Sequence, residues 1–295
     1  MRKLDADALA AALLDHQELD LENTDRVTYV LDQSFHYAYA EPIESLRQRL
    51  VVVPPKRHGN QYRRAHRVEV TGAETRREAR RDRHGNSVLR LHAPHVEKSV
   101  QFRLCAVVER IRQDGPTALP AEALRDPQLL RPTRLTTADD RLTELASALG
   151  GGGNPVELAE RICAAVHEAI AYQDGATTIR TTAAEALSGG KGVCQDAAHV
   201  MLALCHLTAL PARYVSGHLL GQGGTHAWVE VVVPDGSAAM AVPFDPCNGR
   251  RAGFGYVTVA TGRDYSDVAP TSGRYVGTPN STLTTTRRVG VLAAA

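Results

Sequence analysis

Three residues that could form a nucleophile, a base and an orienting acid occur in order in the second half of the chain: Cys194, His226 and Asp245. Cys194 follows a glycine-rich turn, 189–192, and opens a segment whose residues 200–205 are apolar on nearly every face. A helix that is apolar all round lies inside a core, so Cys194 is predicted at the amino end of a buried helix. Unpaired N–H groups and the helix dipole favour an anion there, which for cysteine is the nucleophilic thiolate.

A base and an orienting group follow on two strand-like segments. His226 stands near the start of segment 225–233, and Asp245 ends segment 241–245. Adjacent antiparallel strands can hold these two side chains together at one edge of a sheet, and a helix lying on that sheet can bring Cys194 to the other side of the imidazole. This is the arrangement of cysteine hydrolases and acyltransferases.

Four strings in this order resemble the transglutaminase-like superfamily, and more specifically the bacterial transglutaminase-like cysteine peptidases. Segments 37–42, 84–86 and 262–270 are similar to further parts of that group, so the resemblance covers most of the chain. A departure is Cys247, where family members commonly have threonine. The strings are Gly192-Val-Cys-Gln-Asp-Ala-Ala-His199, Leu210-Pro-Ala-Arg-Tyr-Val-Ser-Gly217, His226-Ala-Trp-Val-Glu230 and Phe244-Asp-Pro246.

The resemblance implies acyl transfer through a thioester, with Cys194 as nucleophile, His226 as general base and Asp245 as orienting acid. It requires no metal or organic cofactor. Hydrolysis of a peptide or carboxamide bond is the first expectation, with a peptide or protein as substrate. An amine acceptor, giving cross-linking or amide-bond formation, is the alternative, and a catalytically silent binding scaffold is a more distant one.

The surrounding pattern indicates an α+β protein with an N-terminal antiparallel β domain. We assign residues 1–112 to an N-terminal helix and this β domain, 113–135 to a proline-rich linker, and 136–295 to a transglutaminase/papain-like core with C-terminal strands. Helical spacing dominates 137–207 and strand patterns follow residue 210. The core is therefore predicted to hold a buried helix packed on an antiparallel sheet.

Composition narrows the functional class. The chain has 295 residues, a net charge of +1 and 43% hydrophobic residues, which excludes a disordered or disulfide-scaffold protein. No apolar run reaches the length of a membrane span, and residues 1–20 read as an amphipathic helix instead of a signal peptide. Five scattered cysteines favour a reduced, cytoplasmic protein without a membrane partner.

The basic residues, the histidines and the other cysteines have simpler explanations than a further functional site. Residues 55–90 hold 11 Lys or Arg and 4 Asp or Glu, but few aromatic residues, so a solvated sheet face is favoured and a nucleic-acid partner is unlikely. His199, His206 and His218 lack the spacing of a zinc site with Cys194 and Cys205. Core positions are expected for His199 and for the remaining cysteines, except that Cys247 stays ambiguous beside Asp245.

Overall fold

The protein is described by a computed structural model covering residues 6–15, 17, 19–21, 23–278 and 280–295. It is an α+β protein dominated by antiparallel sheets, which confirms the predicted fold class. Its helices are α1 (Ala6–Ala11), α2 (Pro127–Leu130), α3 (Asp140–Leu149), α4 (Pro155–Ala169), α5 (Ala183–Gly189), α6 (Cys194–Leu207) and α7 (Tyr265–Val268). Its strands are β1 (Arg26–Tyr39), β2 (Ile43–Val53), β3 (Arg57–His58), β4 (Gln61–Thr71), β5 (Arg76–Arg81), β6 (Ser87–Val96), β7 (Ser99–Ile111), β8 (Thr117–Leu119), β9 (Ala171–Tyr172), β10 (Lys191–Gly192), β11 (Ala212–Leu219), β12 (His226–Asp235), β13 (Ala238–Asp245), β14 (Arg250–Arg251), β15 (Tyr256–Gly262), β16 (Thr271–Val276) and β17 (Ser281–Ala294).

The N-terminal β region consists of two sheets with strand orders β17-β1-β7-β4-β3 and β16-β2-β6-β5. Alternating residues of their strands point inward, and these apolar side chains form one core cluster that includes Tyr29, Phe35 and Phe102. The outward positions carry most of the arginines of residues 55–90, as expected for a solvated sheet face.

The C-terminal strands return to these N-terminal sheets. β17 pairs antiparallel with β1 from Val27↔Ala294 to Tyr39↔Ser281, and β16 pairs with β2. These strands were predicted as part of the core segment 136–295, because the residue pattern of a strand does not show which strand it pairs with. The two ends of the chain therefore meet in one sheet.

The core sheet has the order β14-β13-β12-β11-β15, with β8 added beside β13. β8 comes from the segment expected to be a linker, so that segment also extends the sheet. The buried helix α6 packs against β12 and β11, and α3, α4 and α5 surround it. Residues 195–205 of α6 are all buried, which confirms the prediction of a helix that is apolar on nearly every face.

The N-terminal helix is shorter than the 20 residues predicted. α1 ends at Ala11, and Leu14 then donates its backbone N–H to Val291 of β17 at 2.8 Å, which takes the chain out of helical geometry. Residues 1–5, 16 and 18 of the predicted helix lie outside the described residues. Within the described chain, no helix is both long and apolar enough to cross a membrane.

Candidate active site

Cys194 is the first residue of α6 and its side chain is half-buried. Asp196 closes the start of the helix, because its Oδ2 accepts hydrogen bonds from the Val193 N–H at 2.8 Å and the Thr177 hydroxyl at 2.6 Å. Glycine is needed at position 192, since a Cβ there would lie 2.7 Å from Asp196 Oδ2. The local sequence thus fixes the thiol at a helix amino terminus, as predicted.

His226 and Asp245 are brought together by the neighbouring strands β12 and β13. His226 Nε2 lies 2.7 Å from Asp245 Oδ2, and the two side chains are buried, with 3% and 0% of their residue surfaces exposed. The remaining ring nitrogen, Nδ1, is the one available to Cys194, which is close enough to help raise the pKa of His226. The structure therefore places all three predicted site residues in one connected group.

Asp245 is held by more donors than His226 alone. Its Oδ2 also accepts hydrogen bonds from the Tyr256 hydroxyl at 2.6 Å and from Asn248 Nδ2 at 2.7 Å. Its Oδ1 accepts the backbone N–H groups of Cys247 at 3.0 Å and Asn248 at 3.2 Å. Five donors satisfy a fully buried carboxylate, so the acid is fixed in position and kept ionised.

The electrostatics of the pair favour a protonated imidazole. Burial alone lowers the pKa of His226, but hydrogen bonds and negative charge from Asp245 and Cys194 raise it to about 9. Burial on its own would raise the pKa of Asp245. Its hydrogen bonds with His226, Asn248 and Tyr256 outweigh this effect, so the pKa of Asp245 is lowered overall. The raised pKa of His226 therefore favours an imidazolium at neutral pH, between the Asp245 carboxylate on one side and Cys194 on the other.

Aromatic rings enclose the imidazole. Trp228, two residues along the strand, stacks on His226 with a centroid distance of 6.3 Å and an angle of 27°. Tyr256 contacts both rings, at 5.9 Å from His226 and 5.4 Å from Trp228. Because Trp228 is also almost fully buried, these rings shield the His226–Asp245 hydrogen bond from water.

Residues of the N-terminal β region form hydrogen bonds with the strand that carries Tyr256. The Gln61 side-chain amide donates to the Thr258 carbonyl at 2.7 Å and accepts the Thr258 N–H at 2.8 Å. The Arg110 guanidinium donates to the carbonyl of Tyr256 at 2.7 Å. These contacts fix the strand that carries Tyr256, whose hydroxyl in turn holds Asp245.

A buried cluster of charged residues also joins the N-terminal β region to β12, the strand that carries His226. Glu230 lies between His58 Nε2 at 2.6 Å and Arg213 Nε at 2.7 Å. Burial raises the pKa of Glu230, but the charges and hydrogen bonds of His58 and Arg213 lower it to about 2. The last residue of the His-Ala-Trp-Val-Glu string is therefore explained by an ion pair.

The other cysteines differ from Cys194 in environment. Cys163 and Cys205 are buried and burial raises the pKa of both thiols, in Cys163 to about 12, as expected for core residues. Cys105 is likewise buried in the N-terminal region. Cys247 is half-buried and packs on the same apolar cluster as Cys194; burial, followed by the negative charge of Cys194, raises its pKa to about 12. Cys194 differs from these thiols because it is half-buried at the start of α6 and helps to raise the pKa of His226.

His199 is a core residue, as expected. Its Nε2 accepts the Tyr265 N–H at 3.2 Å, its ring lies 5.3 Å from that of Tyr214, and burial lowers its pKa to about 4. It thus joins α6 to α7. Among the described residues, no three His, Cys, Asp or Glu side chains are arranged to hold a metal ion.

Sequence reasoning missed Tyr256 and Asn248. Asn248 follows Asp245 closely in the loop after β13, and a residue at that position could have been proposed as a turn partner. Tyr256 carried no such signal, because it reaches Asp245 through the pairing of β15 with β11 and not through any spacing in the chain.

Comparisons with known proteins find related sequences for both parts of the chain. Residues 143–246 match the family model of the transglutaminase-like superfamily, and residues 29–109 match the model of the bacterial transglutaminase-like N-terminal region. An uncharacterized protein of Mycobacterium tuberculosis is 28% identical over 289 residues, covering 88% of this chain and 87% of the relative. An uncharacterized protein of Mycobacterium leprae is 29% identical over 203 residues, covering 63% of this chain and 71% of the relative.

A solved structure has the same fold. The crystal structure of a protein from Cytophaga hutchinsonii, described as a "putative cysteine protease", superposes with a TM-score of 0.74 at 23% identity. The match covers 92% of each chain, so the similarity extends over both the N-terminal β region and the core.

Proposed function

The chain belongs to the transglutaminase-like superfamily, and from that premise we propose that it is a thiol enzyme that transfers acyl groups through Cys194, His226 and Asp245. The observation that carries the proposal is the imidazole itself. One nitrogen is fixed on a buried carboxylate at 2.7 Å, and the half-buried Cys194 at a helix amino terminus is close enough to help raise the pKa of the ring.

The proposed reaction uses these groups in two steps. Cys194 Sγ attacks the carbonyl carbon of a peptide or carboxamide, and the tetrahedral intermediate collapses to a thioester as His226 gives its proton to the departing amine. The Cys194 N–H, at the start of the helix, is proposed as one oxyanion donor. Water then attacks the thioester while His226 accepts one of its protons, and breaking the C–S bond releases a carboxylic acid and restores the Cys194 thiolate beside the His226 imidazolium.

Hydrolysis of a peptide-like substrate is the reaction we favour. The half-buried position of Cys194 supports this choice, because it gives water access to the acyl-enzyme. An amine in place of water would form a new amide bond from the same intermediate. The alternatives therefore share every residue up to the thioester and differ only in the acceptor.

A peptide library tests the proposal and separates the acceptors. We expect the protein to release new amino termini, or to convert carboxamide side chains to acids, in a peptide mixture analysed by mass spectrometry. Adding a primary amine at millimolar concentration reports the alternative, through products that carry the amine. Cys194→Ala is expected to abolish either product, and a variant that keeps full turnover would refute the proposal.

A further inference from the structure

A concentrated positive face lies on the outer side of the N-terminal sheet β16-β2-β6-β5, away from the candidate active site. The antiparallel register sets Arg274 opposite Arg47, Arg47 opposite His92, and His92 opposite Arg76. One row of side chains thus crosses all four strands, and three of its four members are arginines.

A second row lies two residues further along the strands, and therefore on the same face. It sets Arg49 opposite Arg90, and Arg90 opposite Glu78. We call Arg47, Arg49, Arg76, Arg90 and Arg274 the arginine face. Together with His92 they line a groove of about 700 Å³.

The positive charge of this face is poorly compensated. Glu78 lines the groove, but its carboxylate pairs with Arg80 at 2.6 Å. Arg49 donates to the Asp267 backbone carbonyl at 2.9 Å, and its contact with the Asp82 carboxylate is 3.8 Å. Within the described chain, no carboxylate forms an ion pair with the other four arginines of the face.

Such an arrangement is costly without a partner. Like charges directly opposite each other on neighbouring strands destabilise a sheet, and here Arg47 faces Arg274 while Arg49 faces Arg90. The net charge of the whole chain is only +1, so the face is a local concentration and not a consequence of a basic protein. Binding of a multiply charged anion would relieve this repulsion.

The dimensions of the face favour an extended acidic polypeptide. Four strands about 4.8 Å apart make the rows about 14 Å wide, and the rows are separated by about 6.8 Å. Alternate side chains of an extended peptide repeat at the same distance of about 6.8 Å. The planar guanidinium group of arginine also pairs with a carboxylate through two parallel hydrogen bonds.

Nucleic acid fits this face less well. Bases of a single strand stack on aromatic rings, and the described lining of the groove contains no Phe, Tyr or Trp. A duplex binder engages on the order of 6–10 phosphates, which exceeds what five arginines across this width can reach. We therefore propose that the arginine face binds an acidic segment of a polypeptide partner, independently of the thiol chemistry proposed above.

Binding of a labelled peptide tests this inference. We expect fluorescein-labelled octaglutamate to bind the full-length protein at 50 mM NaCl in fluorescence anisotropy, and a labelled (Gly-Ser)4 peptide not to bind. The triple variant Arg47→Gln/Arg90→Gln/Arg274→Gln should bind octaglutamate roughly tenfold more weakly. Salt at 300 mM should weaken binding to the unaltered protein, because exposed charges are screened.

A matched variant separates the face from net charge. Arg131→Gln/Arg141→Gln/Arg161→Gln removes the same charge from exposed arginines elsewhere and should bind octaglutamate as the unaltered protein does. Equal weakening in both triple variants, or no binding at 50 mM NaCl, would overturn the proposal. Tighter binding of a 12-base-pair DNA duplex than of octaglutamate through the same arginines would replace the acidic peptide with nucleic acid.

A single substitution tests the arginine face even if the triple variant does not fold. Arg274→Gln alone alters an exposed edge-strand residue, so it tests the face even if the triple variant is unstable. Octaglutamate should also raise the melting temperature of the unaltered protein, as any ligand of the folded state does. Iodoacetamide labelling of Cys194 reports the proposed thiol chemistry separately, so failure of one proposal leaves the other measurable.

Discussion

Replacing Asp245 by asparagine removes the negative charge next to His226 while keeping nearly the same shape. In the unaltered protein the Asp245 carboxylate accepts five hydrogen bonds, three at Oδ2 and two from backbone N–H groups at Oδ1. An amide has one oxygen and one NH₂ group, so either orientation turns a donor towards other donors. The variant should therefore lose both charge and orientation at the imidazole.

The size of the effect follows from the electrostatics of His226. A pKa of about 9, against the ordinary 6.5, corresponds to roughly 3 kcal/mol in favour of the imidazolium. Asp245 and Cys194 both contribute. The hydrogen bond of Asp245 is the largest of the favourable causes, so its replacement should cost about 1 to 2 kcal/mol, which is on the order of a tenfold change in the stability of the thiolate–imidazolium pair.

The pH dependence of Cys194 alkylation measures this loss. The pKa of His226 is raised in the folded protein, so the imidazolium is present below about pH 9 and is lost as the pH rises through that value. In Asp245→Asn the thiolate–imidazolium pair is less stable relative to the neutral thiol and imidazole, so iodoacetamide should react with Cys194 up to about tenfold more slowly near pH 7. At pH 10 the two proteins should react at more similar rates, because the imidazolium is then largely lost from both.

Two results would refute this reasoning. An unchanged rate near pH 7 would mean that Asp245 does not support the imidazolium. An equal reduction at pH 7 and pH 10 would point to a displaced or unfolded helix start instead, and circular dichroism would distinguish the latter. Asn248→Ala is the matched control: it removes one neutral donor to the carboxylate and keeps the charge, so its effect near pH 7 should be smaller.

Three further results are expected at the supports of the site. Tyr256→Phe should slow alkylation near pH 7 by about fivefold or less, since it removes one hydrogen bond of about 1 kcal/mol and leaves the carboxylate charge; a larger loss than in Asp245→Asn would contradict this. Gln61→Ala should lower the free energy of unfolding in urea by about 3 kcal/mol, because the buried N–H and C=O of Thr258 lose their partners; a change within error would show that water replaces them. The pKa of Glu230 is lowered to about 2, so its ion pairs stabilise the fold above about pH 4.5, and this stability is lost as the pH falls towards 2. Glu230→Gln should therefore flatten the plot of unfolding free energy against pH between about 4.5 and 2. An unchanged slope in this variant would show that the ion pairs of Glu230 do not cause the loss of stability.

Local sequence signals determine where several helices of the core begin. Asn154 caps α4, and Thr182 forms a capping box with Glu185 in α5, through contacts between residues only two or three positions apart. Asp139 caps α3 through the Leu142 N–H at 3.0 Å, although Thr137 stands nearby. Two neighbouring residues that can both cap a helix are not separated by sequence spacing alone.

Long-range pairing explains what the sequence analysis could not provide. The return of β17 to β1 and the contact of Gln61 with Thr258 join residues 197 or more positions apart. Tyr256 is only 11 residues from Asp245, but their contact depends on the order of strands in the sheet and not on a local pattern. Cys194, His226 and Asp245 could be proposed as site residues from the sequence because each stands at the end of a locally recognisable helix or strand.

Labelling of the five cysteines tests the central claim most directly. The reduced, folded protein and its His226→Ala variant would be treated with iodoacetamide at pH 7, and the modification of each cysteine followed by mass spectrometry. The proposed thiolate–imidazolium pair predicts that Cys194 reacts fastest of the five, and that His226→Ala slows this residue at least tenfold while leaving Cys247 unchanged. A Cys194 that is inert, or that reacts equally fast without His226, would contradict the proposed function.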